Sequence, residues 1–397
     1  MAPLTRCRAL NSIPQPAAAK YYGQRATKGG LIISEATVIC PQGYGFPHTP
    51  GIHTKEQVKA WKPIVEAVHD KGGLFVCQLW HVGRVSHPDF QPNGEAPVSA
   101  SAIAIDGKLM TPDGSKPYTV PRALEEAELP GLIEDYRKAA RNALDAGFDA
   151  VEAHFANGYL VEQFFKCSTN KRTDRYGGPI DNRCRLGIEI MDALIAEVGK
   201  DKVGVRLSPF GGASQAYDSH PYATYCFFIE EMNKRSIAYI HMIEPRAKGK
   251  EGAASPVAEF SNEHHDETLE VFRKAWHGVF FVAGGYNTEL GVRAVAASHA
   301  DAVAFGRRFL ATPDMVKRVQ LGAPLNQYHR ATFYTQDQVV GYLDYPTLED
   351  NGNNLVGAER QGSKHCMDCS GGAGHADDDS SSCARRREMA AQRAIKS

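Results

Sequence analysis

The sequence contains no stretch that approaches the ~18 consecutive apolar residues needed to cross a bilayer. Its first residues, MAPLTRCRAL, also lack the apolar core of a secretory signal. Because neither kind of segment is present, the sequence predicts a cytoplasmic protein without a membrane partner. The nine cysteines are scattered and odd in number, which favours free thiols in a reducing compartment over a disulfide framework.

The sequence has no large excess of positive or negative charge either. The formal net charge is −1, and the 45 basic and 46 acidic side chains are interspersed along the chain. This balance gives no electrostatic reason to expect a nucleic-acid partner, and an anion would have to be bound by a local group of residues. With 397 residues, 43% of them hydrophobic, the chain is long enough to bury a substantial α/β core.

Short apolar runs alternate with stretches that have helical spacing, such as 133–144 and 186–198. The runs cover residues 1–4, 31–34, 74–79, 150–153, 203–207, 238–243, 279–283 and 302–305. Eight parallel strands close a barrel, so the pattern predicts an α/β fold of the (β/α)8 TIM-barrel type. The alternative, an open doubly wound sheet, usually has a glycine-rich turn after its first strand, and none is present there.

Two regions of the sequence depart from the alternation of apolar runs and helical stretches. The long interval 79–150 contains a proline-rich part, 88–121, and is expected to cross the barrel mouth. Residues 351–397 are low in large apolar residues and rich in Gly, Ser and charge blocks, which predicts a disordered tail after a barrel domain of residues 1–350. The tail holds a single CxxC with nearby histidines, a weak zinc pattern, and no metal is predicted.

The segment EAHFANGYLVEQFF, residues 152–165, carries the strongest chemical signal. His154 ends an apolar strand, and Asn157 and Tyr159 follow within one turn, so that an imidazole, an amide and a phenol can reach one pocket. Two donors on a carbonyl oxygen would stabilise enolate-like charge, and a phenol can supply a proton. The alternative, a satisfied core histidine beside an interfacial aromatic, is equally consistent with the pattern.

A phosphate site is predicted at the far end of the barrel. GGYN, residues 284–287, follows the seventh strand, and FGRR, residues 305–308, follows the eighth, where barrels commonly bind phosphate. Glycine permits close approach of the backbone, and Arg307 can make a two-pronged contact with phosphate oxygens. Each loop alone would be ordinary turn chemistry, but the pair favours a phosphate.

Nine motifs, in family order, resemble those of the Old Yellow Enzyme family, and their style is similar to its 12-oxophytodienoate reductase branch. They are MAPLTR (1–6), CPQGYG (40–45), CQLWHVGR (77–84), HFANGYL (154–160), NKRTDRYGGPIDNRCR (170–185), GVRLSP (204–209), FVAGGYN (281–287), FGRRF (305–309) and GYLDYP (341–346). The resemblance implies an FMN cofactor and an enzyme that passes hydride from NADPH to the β-carbon of an α,β-unsaturated carbonyl compound.

The resemblance also implies roles for individual residues. The flavin would contact Pro3, Leu4, Thr5, Ala36, Gln78 and Arg206, of which Thr5 lies near O4 and N5 and the last two hold the pyrimidine edge. Its phosphate would be held by Gly284, Gly285, Gly306 and Arg307. His154 and Asn157 would bind the substrate carbonyl, Tyr159 would donate the proton, and Tyr334 would lie over the substrate.

Several alternatives remain at this stage. Family members have a further segment before MAPLTR, so the barrel is expected to be shortened at its N-terminus. Lys166 is expected to replace the residue that relatives usually have at this position. The same fold could serve an NADPH oxidase or a quinone or nitro-compound reductase. A truncated, inactive remnant is a third possibility. Relatives occur as monomers and homodimers.

Overall fold

The structure, a computed structural model, describes residues 1–245 and 267–350. Its main sheet is parallel throughout and follows chain order, β1-β3-β8-β9-β10-β11-β12, with β2 beside the end of β3. The strands of this sheet are β1 (Leu31–Ile33), β2 (Thr37–Val38), β3 (Leu74–Trp80), β8 (Ala150–Phe155), β9 (Val203–Leu207), β10 (Tyr239–Ile243), β11 (Val279–Ala283) and β12 (Ala302–Ala304). Four short strands lie between β3 and β8 in the chain: β4 (Val98–Ser99), β5 (Lys108–Thr111), β6 (Gly114–Pro117) and β7 (Arg122–Ala123).

Helices between the strands cover the outside of the sheet, which is the arrangement of a (β/α)8 barrel. Among the described residues they are α1 (Ala17–Gly23), α2 (Lys55–His69), α3 (Leu129–Asp145), α4 (Leu160–Phe165), α5 (Ile180–Val198), α6 (Pro221–Arg235), α7 (Glu270–Ala275), α8 (Thr288–Ala296), α9 (Arg307–Ala311) and α10 (Met315–Leu321). The two predicted helical stretches lie within α3 and α5, and seven of the eight predicted strands are found within two residues of their expected ends.

The predicted strand 1–4 needs a correction. It forms no regular strand, because Pro3 has no N–H to give to a ladder. Its backbone nevertheless bonds to both neighbours: Ala2 N–H donates to the Phe305 carbonyl at 3.0 Å, and Ile33 N–H donates to the Met1 carbonyl at 3.1 Å. The first residues therefore lie between β12 and β1 and close the barrel, while β2 is the eighth strand of the sheet.

Local sequence explains why α2 begins and which face it buries. Thr54 and Gln57 form a capping box, in which the Thr54 side chain accepts from the Gln57 N–H at 3.2 Å and Gln57 Oε1 accepts from the Thr54 N–H at 3.1 Å. The buried side chains Trp61, Ile64 and Val68 then recur at helical spacing. This apolar face packs against the sheet and belongs to the main core.

The long segment between β3 and β8 lies over the carboxyl ends of the strands, as expected. Arg84, which is 2% exposed, connects it to a loop after β9 by donating to the carbonyls of Ile103 at 2.9 Å and Ser214 at 2.8 Å. Tyr118 from the same segment packs in one apolar cluster with Trp80 and Tyr159. The excursion thus supplies a wall of the barrel mouth.

No helix among the described residues is long and apolar enough to cross a membrane. Within 1–245 and 267–350, no group of three His, Cys, Asp or Glu side chains could hold a metal ion. The six cysteines of this part of the chain are free thiols. The tail 351–397, with its predicted disorder and its weak zinc pattern, lies outside the described residues.

Candidate active site

Strand register brings five polar residues into one interior cluster. Gln78 on β3 lies beside Glu152 on β8, and Arg206 on β9 lies between His154 on β8 and His241 on β10. Since alternate residues of a strand face the same side, Glu152 and His154 both face the barrel interior. The cluster therefore occupies the carboxyl half of the barrel, where barrel enzymes hold their chemistry.

Arg206 lies level with His154 and His241 near the carboxyl end of β9. Its Nε is buried and has no hydrogen-bond partner within the described part of the chain. Burial lowers the pKa of the guanidinium, although the Glu152 carboxylate opposes that shift. A buried cationic donor without an acceptor is unfavourable unless a ligand supplies one. Arg206 is thus suited to hold an electron-rich edge of a bound molecule.

His154 and Tyr159 form the chemical centre of the pocket. Their rings are T-shaped with centroids 5.1 Å apart, and the Trp80 ring lies 5.0 Å from Tyr159 and 6.5 Å from His154. His154 is 3% exposed, and its Nδ1 has no partner within residues 1–245 and 267–350. Burial holds the pKa of His154 well below its usual value, and the Arg206 cation lowers it further. The imidazole is therefore neutral and can donate one N–H.

Tyr159 remains a phenol over the whole working range of pH. Burial raises its pKa above the usual value, and the neighbouring phenols of Tyr334 and Tyr118 raise it further. Tyr334, with 63% of its surface exposed, lies at the outer edge of the pocket. Tyr159 therefore keeps its proton, which is the form required of a proton donor.

The turn that carries Asn157 is held from below by buried polar side chains. Asn157 and Gly158 have φ angles of 60° and 75°, in the left-handed region. Asn157 N–H donates to Ser208 Oγ at 2.8 Å, and Gly158 N–H donates to Glu162 Oε2 at 2.5 Å. The fully buried Lys166 lies 3.2 Å from Glu162 Oε1. The turn is therefore fixed before a ligand arrives.

The two glycine loops lie at the ends of β11 and β12. Gly284 and Gly285 have φ angles of 109° and 72°, which other residues rarely adopt, so the backbone there can form a concave set of N–H groups. A Cβ on Gly306 would lie 3.3 Å from the Leu4 side chain. Arg307 lies with its guanidinium carbon 5.5 Å above the Tyr328 ring.

The start of the chain lies beside the Gly306 loop and is joined to the turn after β1. Arg6 N–H donates to Glu35 Oε2 at 3.0 Å, which connects the segment carrying Pro3, Leu4 and Thr5 to the one carrying Ala36. Burial raises the pKa of Glu35 to about 7. Ala36 is 4% exposed and packs in the same cluster as Trp80. The predicted contacts of these two segments with a flavin stay a prediction.

Sequence reasoning missed four residues of the site: the buried Glu152, His241 and Glu162, and the partly buried Tyr118. For the first a signal was available, since Glu152 is two positions before His154 on the same strand and shares its face. Glu162 follows Tyr159 closely in the sequence, but its bond to the Gly158 N–H is visible only in the structure. His241 and Tyr118 belong to distant elements, so only the fold brings them to the site.

The barrel, the polar groups at its strand ends and the glycine loops define a flavin-dependent oxidoreductase. Residues 1–326 match the NADH:flavin oxidoreductase / NADH oxidase family. The chain belongs to this family, the Old Yellow Enzyme family, and is an oxidoreductase whose family cofactor is FMN.

Plant enzymes are among its similar sequences. The chain is 53% identical over 352 residues to 12-oxophytodienoate reductase 1 of Oryza sativa subsp. japonica, covering 88% of this chain and 89% of that protein. It is 50% identical over 351 residues to 12-oxophytodienoate reductase 2 of Arabidopsis thaliana, covering 88% of this chain and 91% of that protein. These matches extend through the barrel and its loops.

Solved structures confirm the fold. Morphinone reductase in complex with tetrahydroNAD superposes with a TM-score of 0.81 at 44% identity, covering 89% of this chain and 94% of that one. An Old Yellow Enzyme homologue from Zymomonas mobilis gives a TM-score of 0.80 at 42% identity, covering 87% and 94%. The described residues fit an FMN at this place, since Arg206 on β9 has a buried Nε without a partner among them and glycine-containing loops follow β11 and β12.

Proposed function

We propose that the enzyme is an ene-reductase that takes hydride from NADPH through FMN N5 and transfers it to the β-carbon of α,β-unsaturated carbonyl compounds. The observation that carries this proposal is the neutral, buried His154 with an unpaired Nδ1 beside the protonated Tyr159. The neutral His154 imidazole and the Asn157 amide can both donate a hydrogen bond to a carbonyl oxygen. The Tyr159 phenol beside them can give a proton to a carbon atom. The relatives named 12-oxophytodienoate reductase support the same class of reaction.

When bound, FMN supplies a centre that accepts hydride from a nicotinamide and donates it to an alkene. Gln78 and Arg206 would hold its pyrimidine edge, where the Arg206 cation would stabilise negative charge. Gly284, Gly285, Gly306 and Arg307 would hold its phosphate through loop backbone N–H groups and one guanidinium. Pro3, Leu4, Thr5 and Ala36 would complete the flavin site.

His154 and Asn157 bind the substrate carbonyl oxygen. Each donates one hydrogen bond, and these bonds strengthen as charge moves onto that oxygen during hydride attack at the β-carbon. Tyr159 then gives its proton to the α-carbon, so that one hydride and one proton together saturate the double bond. Tyr334 at the outer edge limits how the substrate lies over the flavin.

The first test replaces His154 and Asn157 with Ala. We expect 2-cyclohexenone reduction to fall at least about a hundredfold for the double variant, because both donors to the developing oxyanion are lost. FMN affinity should change by less than about threefold, since neither side chain is assigned to the flavin. His277→Ala, an exposed histidine before β11, is the matched control and should change neither quantity. Equal losses of alkene reduction and FMN binding would refute the assigned role.

The second test separates the proposed acceptor from others. Steady-state rates with 2-cyclohexenone, menadione, a nitroarene and oxygen are measured at the same NADPH concentration. We expect the enone to have the largest kcat/KM and the His154→Ala variant to lose that reaction selectively. A higher kcat/KM for oxygen, the quinone or the nitro compound would instead identify an oxidase or a quinone or nitro-compound reductase.

The cellular setting follows from the same observations. We propose a cytoplasmic enzyme with small-molecule partners, and the free thiols of the six described cysteines fit a reducing compartment. The preference for NADPH over NADH is part of the proposal and is tested by comparing kcat/KM for the two. Light scattering of the purified protein distinguishes a monomer from a homodimer.

A further inference from the structure

Glu152 and His241 form a polar pair in the interior of the barrel. Both side chains are fully buried, and His241 Nδ1 lies 2.9 Å from Glu152 Oε2. Tyr239 donates from its hydroxyl to the same oxygen at 3.1 Å. The Tyr239 ring passes over Gly204 to reach Glu152, and it can do so because Gly204 has no side chain. A Cβ on Gly204 would lie 2.3 Å from the ring.

A carboxylate at this position is unusual, because barrel interiors are normally filled by apolar side chains. Burial alone would raise the pKa of Glu152, but His241 and Arg206 outweigh that effect, and the pKa lies below its usual value. Glu152 is thus ionised. Burying an ion costs several kcal/mol unless its partners compensate. Replacement by an apolar residue would avoid this cost, so packing does not explain the carboxylate.

The contact between Glu152 and Gln78 suggests what the carboxylate does. Gln78 Nε2 donates to Glu152 Oε1 at 2.7 Å. A carboxylate only accepts hydrogen bonds, so it selects the amide orientation that brings the NH2 group toward it. The carbonyl oxygen of Gln78 is then turned away from the carboxylate. Without Glu152, either orientation of the amide would be available.

The second consequence concerns charge. Arg206 lies beside His154 and His241 in the sheet and interacts electrostatically with Glu152, which is the anion that acts on its pKa. The two charges of opposite sign balance each other within the barrel. If Glu152 were neutral, Arg206 would present an uncompensated positive charge to any ligand at the mouth.

We propose that Glu152 is a positioning residue that orients the Gln78 amide and balances the Arg206 charge for an imide-containing ring, while His241 and Tyr239 hold the carboxylate in place. The inference rests on the proposed binding of FMN. With its orientation fixed, Gln78 offers an acceptor for an imide N–H, and Arg206 offers donors for an imide oxygen. Glu152 itself touches neither cofactor nor substrate.

The test compares wild type, Glu152→Gln, Gln78→Ala and the double variant. FMN affinity is measured by fluorescence quenching, and the two-electron midpoint potential of the bound flavin is measured by dye equilibration. We expect Glu152→Gln to weaken FMN binding about tenfold or more in the wild-type background but less than about threefold beside Gln78→Ala. We also expect a more positive potential, because the uncompensated Arg206 favours the negatively charged reduced ring.

Glu162→Gln is the matched control, since Glu162 is equally buried but lies under the Asn157 turn. It should leave both FMN readouts unchanged. Additive effects of the two variants, or an unchanged potential, would show that Glu152 only stabilises the fold. If Glu152→Gln does not fold, Tyr239→Phe removes one bond to the same carboxylate and should show the same coupling to Gln78 with a smaller loss. Independent effects of Tyr239→Phe and Gln78→Ala would overturn the proposal.

Failure of the proposed function gives a different result. A folded wild-type protein that does not bind FMN at all would refute the proposed function and, with it, the inference. A wild-type protein that binds FMN while Glu152→Gln binds it equally well, at the same potential, would refute only the role of Glu152.

Discussion

His154 and Tyr159 show how burial sets the protonation of a pair of neighbouring side chains. A desolvated imidazole loses its proton more readily, and a desolvated phenol keeps its proton more firmly, because burial disfavours the charged form of each. Both shifts leave the pair neutral. The neutral forms are those needed for a hydrogen-bond donor to a carbonyl and for a proton donor to carbon.

A prediction at this scale concerns pH. His154 and Tyr159 should contribute no step to the rate of reoxidation of the reduced enzyme by 2-cyclohexenone between about pH 6 and about pH 9, because neither side chain titrates there. Stopped-flow measurements across this range check the expectation. An apparent pKa near the ordinary value for histidine, present in wild type and lost in His154→Ala, would contradict the neutral assignment.

The turn after β8 shows how an element is held for function. Asn157 adopts a left-handed conformation, and its N–H and that of Gly158 are bonded to Ser208 and Glu162. Tyr225 donates from its hydroxyl to Glu162 at 2.7 Å, and Lys166 lies beside the same carboxylate. Lys166 is therefore the buried cation that compensates the Glu162 charge beneath the turn.

Replacing Ser208 with Ala tests this support. The Asn157 N–H would lose its acceptor, which costs about 1–3 kcal/mol for a buried donor, so the turn should shift or loosen. We expect KM for 2-cyclohexenone to rise roughly tenfold, while FMN affinity stays within about threefold of wild type. Ser219→Ala, at an exposed serine before α6, is the control. An unchanged KM together with an altered FMN affinity would speak against a role of this turn in carbonyl binding.

Most strands could be predicted, because each is a short apolar run and the runs are separated by helical periodicity. The residues at their ends were identified with them, as His154 and Arg206 show. The buried network of Glu162 and Ser208 could not be predicted, because its partners are 46 residues apart in the chain and meet only when α4 packs beside β9. A buried carboxylate in a helix such as α4 resembles an ordinary surface glutamate in the sequence.

At the scale of the whole molecule, a stack of two tyrosine rings between two arginine side chains connects the first and last described segments of the barrel. Arg25 lies over the Tyr21 ring at 3.9 Å, Tyr21 stacks on Tyr342 at 4.2 Å, and Arg8 lies over Tyr342 at 4.7 Å. Arg8 also donates to the carbonyls of Thr332 and Val340, each at 3.0 Å. The segment that carries Tyr334 is thereby fixed to the start of the chain.

Arg8→Lys tests this connection. Lysine cannot reproduce the forked hydrogen bonds or the planar stacking of arginine, so we expect a loss of about 2–4 kcal/mol in the free energy of unfolding, measured in urea. The rate with bulky enones should change more than the rate with 2-cyclohexenone, because Tyr334 lies at the outer edge of the pocket. Arg141→Lys, at a largely exposed arginine on α3, is the control. Equal stability of the two variants would mean that the stack does not hold the segment.

No sequence pattern pointed to the stack, since Arg8 and Thr332 are 324 residues apart.

Anaerobic titration of the FMN-reconstituted protein with NADPH, followed by 2-cyclohexenone, tests the central claim most directly. The account predicts that NADPH bleaches the visible flavin absorption and that the enone restores it without oxygen, with one equivalent of saturated ketone formed per equivalent of NADPH. A protein that binds FMN and is reduced by NADPH, but whose absorption returns only when oxygen is admitted, would contradict it.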